Sequence, residues 1–191
     1  MDRRSALGLM AATAGAGLVG CAFSSKPVDP SAEDLSVIFG FIDMSDAPSN
    51  IKWVSLKAYG AGASSYRAGV EDGMFFHVGV KPGAYQVERF GGDRSLIPVF
   101  GQPYEYDWGT RGRNSTAVRI ERPGVFFMGA HRYVSQPSGI FEQAKFEMQP
   151  MSSPGERDGW QKLLRIMEAD PSLSTYRHQI RRIRAKLGAG Q

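Results

Sequence analysis

The sequence predicts a mainly β fold, an antiparallel β-sandwich of about seven or eight strands followed by a C-terminal α-helical hairpin. Two observations predict it. Between residues 35 and 150, β-branched and aromatic residues gather in short runs separated by Gly, Pro, Asn and Asp, the rhythm of strands and turns. After Met148 the apolar residues recur at helical spacing, the pattern of a helix with one buried face.

Before the fold, residues 1–20 have the three-part layout of a secretory signal: Arg3 and Arg4 in front, an apolar stretch from Ala6 to Val19, and small Gly20 at the boundary. The stretch is shorter than the roughly 20 apolar residues that a helix needs to span a bilayer core, so it is expected to be cut away. Residues 21–34 are rich in Ser, Pro and acids and have little to bury, which is the composition of a flexible tether. The sandwich domain is expected over residues 35–150 and the helical segment over 151–191.

The strand-like runs are Ser36 to Asp43, Ile51 to Tyr59, Met74 to Val80, Ala84 to Phe90, Thr116 to Glu121, Val125 to Tyr133 and Phe141 to Met148. Lys81-Pro82-Gly83 predicts a hairpin between the third and fourth of them, because Pro fixes φ and Gly accepts positive φ in a tight turn. Alternation favours Tyr85 and Val87 as inward residues. Arg122-Pro123-Gly124 is a second Pro-Gly break between strand-like runs. From Gly91 to Arg113, Pro98 and Pro103 argue for an irregular stretch with one edge strand, either Ser95 to Phe100 or Tyr104 to Trp108. A mobile Gly-Arg loop is expected over Gly109 to Asn114.

Ser153-Pro154-Gly155-Glu156 matches a helix start with Ser at the N-cap, Pro at N1 and Glu at N3. Trp160, Leu163, Leu164 and Met167 then form one apolar face. Asp170-Pro171 opens a second helix with Leu173, Tyr176, Ile180, Ile183 and Leu187 in a stripe, and Gly188 ends it. The stripe should pack on the sandwich or on a partner.

Leu18-Val19-Gly20-Cys21 resembles the lipobox of bacterial lipoprotein signals: an aliphatic residue, a permissive one, a small one, then cysteine. The resemblance implies cleavage between Gly20 and Cys21, a diacylglyceryl group on the Cys21 thiol and acylation of the new amino group. Several chains make such an attachment effectively stable, since each buried methylene adds about 0.8 kcal/mol. Cys21 is the only cysteine, so no disulfide forms within the chain and the domain must rely on apolar packing. Ala22 and Phe23 follow it without the Asp that typically retains such lipoproteins in the inner membrane. The resemblance therefore implies an outer-membrane anchor facing the periplasm. Arg3 and Arg4 also resemble a twin-arginine export signal, although they serve equally as the positive front of a general one.

From Val37 to Met148 the chain resembles the prealbumin-like and carboxypeptidase-regulatory-like β-sandwich modules of bacterial envelope lipoproteins. The residues that carry the likeness are Phe39-Gly40-Phe41, Phe75 to Val80 running into Lys81-Pro82-Gly83-Ala84-Tyr85, and Pro123 to Gly129. Such modules usually bind, adhere or support structure, and no common catalytic motif is implied.

The residues themselves point the same way. His77, His131 and His178 lack metal-ligand spacing, no serine sits in a Gly-x-Ser-x-Gly elbow, and no motif asks for a metal or cofactor. His77 and His131 read as hydrogen-bonded strand residues. Glu105 and Asp107, among Tyr104, Tyr106 and Trp108, suggest either a sugar-binding patch or an aromatic edge strand covering the core, and the second is favoured. The formal charge is +4, and much of the excess is local. Arg177, Arg181, Arg182, Arg184 and Lys186 follow one another without an Asp or Glu. Arg177, Arg181 and Arg184 share one helical face, a candidate for phospholipid headgroups, sugar phosphates or an acidic envelope protein, with a solvated face as the plain alternative. An exported chain would rarely meet nucleic acid. The sequence thus predicts a lipid-anchored envelope protein that binds or assembles and does not catalyse; the alternative is an envelope enzyme or carbohydrate-binding subunit using the 91–114 loop.

Overall fold

The computed structural model describes residues 35–47, 51–59, 64–94, 102–136 and 145–189. The expected signal, tether and Cys21 lie outside these residues, as do Ser95 to Phe100 and the start of the run at Phe141.

The fold is mainly β with a C-terminal helical segment. Nine strands are described: β1 (Ser36–Asp43), β2 (Trp53–Tyr59), β3 (Tyr66–Glu71), β4 (Met74–Val80), β5 (Gly83–Arg94), β6 (Gln102–Asp107), β7 (Val118–Ile120), β8 (Val125–Gln136) and β9 (Lys145–Met151). They form one connected sheet in the order β6-β5-β2-β3-β4-β1-β8-β9, with β7 attached to β5. The ladder between β1 and β8 is parallel, so the sheet is mixed and the expectation of antiparallel pairing alone is corrected.

All nine strands send residues into one core, including Ile38, Leu56, Ala68, Phe75, Val87, Tyr104, Ile120, Met128 and Met148. A flat sheet cannot bring both of its ends onto one cluster. The sheet therefore curls around it, in the direction that strand twist favours. Tyr85 and Val87 are buried, as their alternation predicts.

The Pro82-Gly83 turn does not close a hairpin. Both edges of β4 are occupied, by β1 and β3, while β5 pairs with β2, β6 and β7. The turn carries the chain across the core from one part of the sheet to another. The tight hairpin lies just before it, between Glu71 and Met74. There Asp72 and Gly73 both have positive φ, as a two-residue turn matched to strand twist requires.

Strand β1 is buried on both faces. Ile38 and Ile42 point into the curled core, and Val37, Phe39 and Phe41 point into a second cluster with Trp160, Leu163, Met167, Leu173, Tyr176 and Ile183. That second cluster is where the helices dock. Helix α2 (Glu156–Ala169) starts at Gly155 rather than Ser153, with the Asp158 carboxylate accepting the Gly155 N–H at 3.0 Å. The carboxylate at N3 is thus Asp158, not Glu156, because the helix begins two residues later than the Ser-Pro pair suggested. Asp170 caps the next element as expected, accepting the Ser172 N–H at 2.8 Å. That element is a 3-10 turn (Pro171–Tyr176), followed by the last helix, Arg177–Gly188. The expected mobile loop at Gly109 to Asn114 is instead the short helix α1 (Thr110–Ser115), so the last helix is α3.

Candidate functional site

Along β2, Val54 and Leu56 enter the core, so Trp53, Ser55 and Lys57 face outward. Register places Ser55 between Arg67 of β3 and Arg89 of β5, and Trp53 between Gly69 and Gly91. The indole lies against β5 because position 91 has no side chain: a Cβ there would stand 2.3 Å from Trp53 Cζ2. Over the ring, 3.9 Å from its centroid, lies the Arg67 guanidinium. Such stacking fixes a long side chain that would otherwise sweep through solvent.

Between Ser55 and Leu56 the register with β5 slips by one residue. The bulge lets neighbouring Glu88 and Arg89 both reach the outer face. Glu88 accepts from Lys57 at 2.8 Å and Glu105 of β6 accepts from Arg89 at 2.6 Å. With Ser65 and Tyr66 these side chains, Lys57 apart, line an open cleft of about 470 Å³. Of its two cations, Arg89 is neutralised by Glu105. Arg67 has no ion-pair partner among the described residues, so its guanidinium is left with hydrogen-bond donors beside the cleft.

Only one member of the expected aromatic patch reaches this cleft. Glu105 and Asp107 are exposed on β6, whereas Tyr104 and Trp108 are buried in the core and Tyr106 packs against it. The edge strand is a cover, and its rings are not a platform. Asp107 is tied to Arg113 and accepts the Gly109 N–H at 2.7 Å. Partial burial would raise its pKa, but the Gly109 N–H and Arg113 prevail and hold it below the usual carboxylate range.

His131 of β8 is buried, with Nε2 2.7 Å from the Ser115 hydroxyl and its ring against Trp108. Burial pushes its pKa down to about 4. The Ser115 hydroxyl also donates to the Gly112 carbonyl at 2.6 Å, and His131 Nδ1 has no hydrogen-bond partner among the described residues. Among the described residues no carboxylate orients the imidazole as the third member of a nucleophile relay would. His77 is half-buried beside Tyr66 at 4.8 Å, and burial lowers its pKa. Among the described residues no group of three His, Cys, Asp or Glu could hold a metal ion.

Arg177, Arg181 and Arg184 do come together, lining a groove of about 700 Å³ with Glu168, Asp170 and Ile180. Arg184 is committed within it, donating to Glu168 through Nε at 2.9 Å and through a terminal nitrogen at 2.5 Å. Gly20 and Cys21 lie outside the described residues.

Sequence reasoning missed Trp53, Arg67 and Arg89. A signal was present, since Trp53 stands at an outward position in a strand whose inward set is Val54 and Leu56. Among the described residues no helix is long and apolar enough to cross a membrane. Compared with protein-family models, curated proteins and solved structures, the chain has no significant match.

Proposed function

We propose that the chain is an envelope lipoprotein, held by acyl chains on Cys21 in the outer membrane facing the periplasm, whose curled β domain binds an anionic ligand and catalyses nothing. The observation that carries the reading is that the only cysteine stands at the end of Leu18-Val19-Gly20-Cys21, behind an apolar stretch with arginines in front. Among the described residues, both cores are built from Val37 onward, which is compatible with that use of Cys21. The binding role is supported by Arg67, pinned over Trp53 beside an open cleft. The likeness of residues 37 to 148 to prealbumin-like binding modules belongs to the same proposal.

A second reading, carbohydrate binding, is favoured by one observation: Glu105, Arg89, Arg67 and Ser55 converge in that cleft. It shifts the sugar site from the 91–114 loop to the outer face of β3, β2, β5 and β6. Its enzymatic form needs a carboxyl raised toward neutrality to act as general acid, whereas the cleft's Glu88 and Glu105 each accept from a cation, Lys57 and Arg89.

Expression of the full chain and its Cys21→Ser variant in a two-membrane bacterium tests the anchor. The wild type should mature to a shorter, detergent-extracted membrane form beginning at Cys21, and the variant should never reach it. A variant that matures and fractionates like the wild type contradicts the proposal.

A further inference from the structure

We propose that the outer face of α3 docks on anionic phospholipid headgroups, so that the domain lies against the membrane from which it is tethered; the inference rests on the anchor at Cys21. Helix α3 carries Arg177, Arg181, Arg182, Arg184 and Lys186 and no acidic residue. Two of these cations have partners in the chain: Arg184 in Glu168, and Lys186 in the Trp160 ring at 4.2 Å from its centroid. The other three are exposed, and among the described residues no carboxylate lies within ion-pair distance of them. With Ile183 fixed inward, the helical repeat places Arg177, Arg181 and Arg182 across the outward side, around Ala185 and Gly188. No large apolar side chain interrupts that side, so the contact is electrostatic and needs no insertion. The acidic residues of the adjoining groove do not oppose it strongly. Glu168 is neutralised by Arg184, and the Asp170 carboxylate caps the 3-10 turn.

The choice of a membrane over another anion comes from where the tether enters. Buried Gln179 of α3 donates its side-chain N–H to the Leu35 carbonyl at 2.5 Å. Leu35 is the residue at which the segment from Cys21 reaches the described fold, so chain entry and basic helix are fastened together. From Cys21 to Leu35 is fourteen residues, which span at most about 50 Å at full extension. A lipid on Cys21 therefore keeps α3 within reach of headgroups at all times, and a weak surface contact becomes an intramolecular one. Each basic residue near an anionic surface strengthens binding roughly fivefold, so three together supply roughly a hundredfold.

The test uses the chain from Ala22 onward, without lipid, which keeps every described residue of both cores. It is sedimented with phosphatidylcholine vesicles that contain or lack phosphatidylglycerol, at low and raised salt. The expected result is binding to the anionic vesicles only, weakened by salt, and reduced roughly a hundredfold in Arg177→Gln/Arg181→Gln/Arg182→Gln. A charge-matched control, Lys81→Gln/Arg119→Gln/Arg122→Gln, should keep the wild-type affinity, and matching thermal unfolding shows that both variants are folded. Binding unchanged in the α3 variant, equal loss in the control, or no binding by the wild type overturns the proposal. Competition by free glycerol phosphate at the concentration of the vesicle lipid also overturns it, assigning the site to a soluble anion. Because the protein carries no lipid, the result is read independently of Cys21 acylation, so failure of docking and failure of the anchor are separate outcomes.

Discussion

The Tyr85 hydroxyl donates a hydrogen bond to the carbonyl of Lys81 at 2.8 Å, bridging the turn that carries the chain from β4 to β5 across the core. The ring is buried, and burial, reinforced by Tyr66, raises its pKa to about 12, so it stays a donor throughout the physiological range. Tyr85→Phe keeps the ring and removes the donor. It should cost about 1 kcal/mol, read as a lower urea midpoint with an unchanged slope. An unchanged midpoint would mean that the bond does not hold the turn.

The same turn shows what the sequence could and could not disclose. Lys81-Pro82-Gly83 specifies a reversal locally, but a reversal does not name the partner of the strand it leads into, and β5 finds β2 instead of β4. Strand β3 escaped because its Ala, Gly and Glu are poor strand formers, although Asp72-Gly73 marked the hairpin that contains it. The two C-terminal helices were legible because one apolar stripe repeats through each, but α2 starts two residues later than expected, the first turns after Asp170 are 3-10 rather than α, and α1 was not foreseen. The cleft was not, since Trp53, Arg67, Arg89 and Glu105 lie on four strands and only register brings them together. Arg177, Arg181 and Arg184 were visible because one helix supplies them all.

His131 makes stability fall in mild acid. Its buried neutral form is favoured in the folded protein, whereas the unfolded chain takes up the proton near pH 6.5. Between about pH 6.5 and 4 the unfolded state therefore binds more protons, and stability drops as pH falls, by up to roughly 3 kcal/mol. His77 acts in the same direction. Urea unfolding across this window should show the loss, and His131→Gln should flatten much of it. A flat wild-type profile, or an unchanged slope in the variant, would refute the assignment.

Gly159 lies where α2 crosses β1, and a Cβ there would stand 2.4 Å from Phe39 Cε2 and 3.0 Å from Phe41 Cε2. Helix propensity alone would reward Gly159→Ala by about 1 kcal/mol. Phe39 is fully buried, with its ring centroid 5.2 Å from that of Phe127, so it has little room to retreat, and overpacking costs about 1–3 kcal/mol. A net loss of about 1 kcal/mol is expected. At Gly188, where a Cβ meets nothing within 4 Å, the same substitution should be neutral or mildly stabilising. Denaturation midpoints for the two variants decide it, and stabilisation at Gly159 would mean that the interface yields.

The cleft on the outer sheet face should recognise anions through Arg67. On an array of acidic and neutral glycans, the chain from Ala22 onward should retain acidic members, and Arg67→Ala should weaken them about tenfold, the worth of one charge-assisted hydrogen bond. Equal retention by the variant would remove the cleft from the binding account.

The central claim is the lipid on Cys21, and mass spectrometry of the N-terminal peptide of the membrane-extracted mature protein tests it most directly. The account predicts a peptide that begins at Cys21 and carries the mass of a diacylglyceryl group, with or without a third acyl chain. A peptide that begins elsewhere, or one that begins at Cys21 with an unmodified thiol, would contradict it.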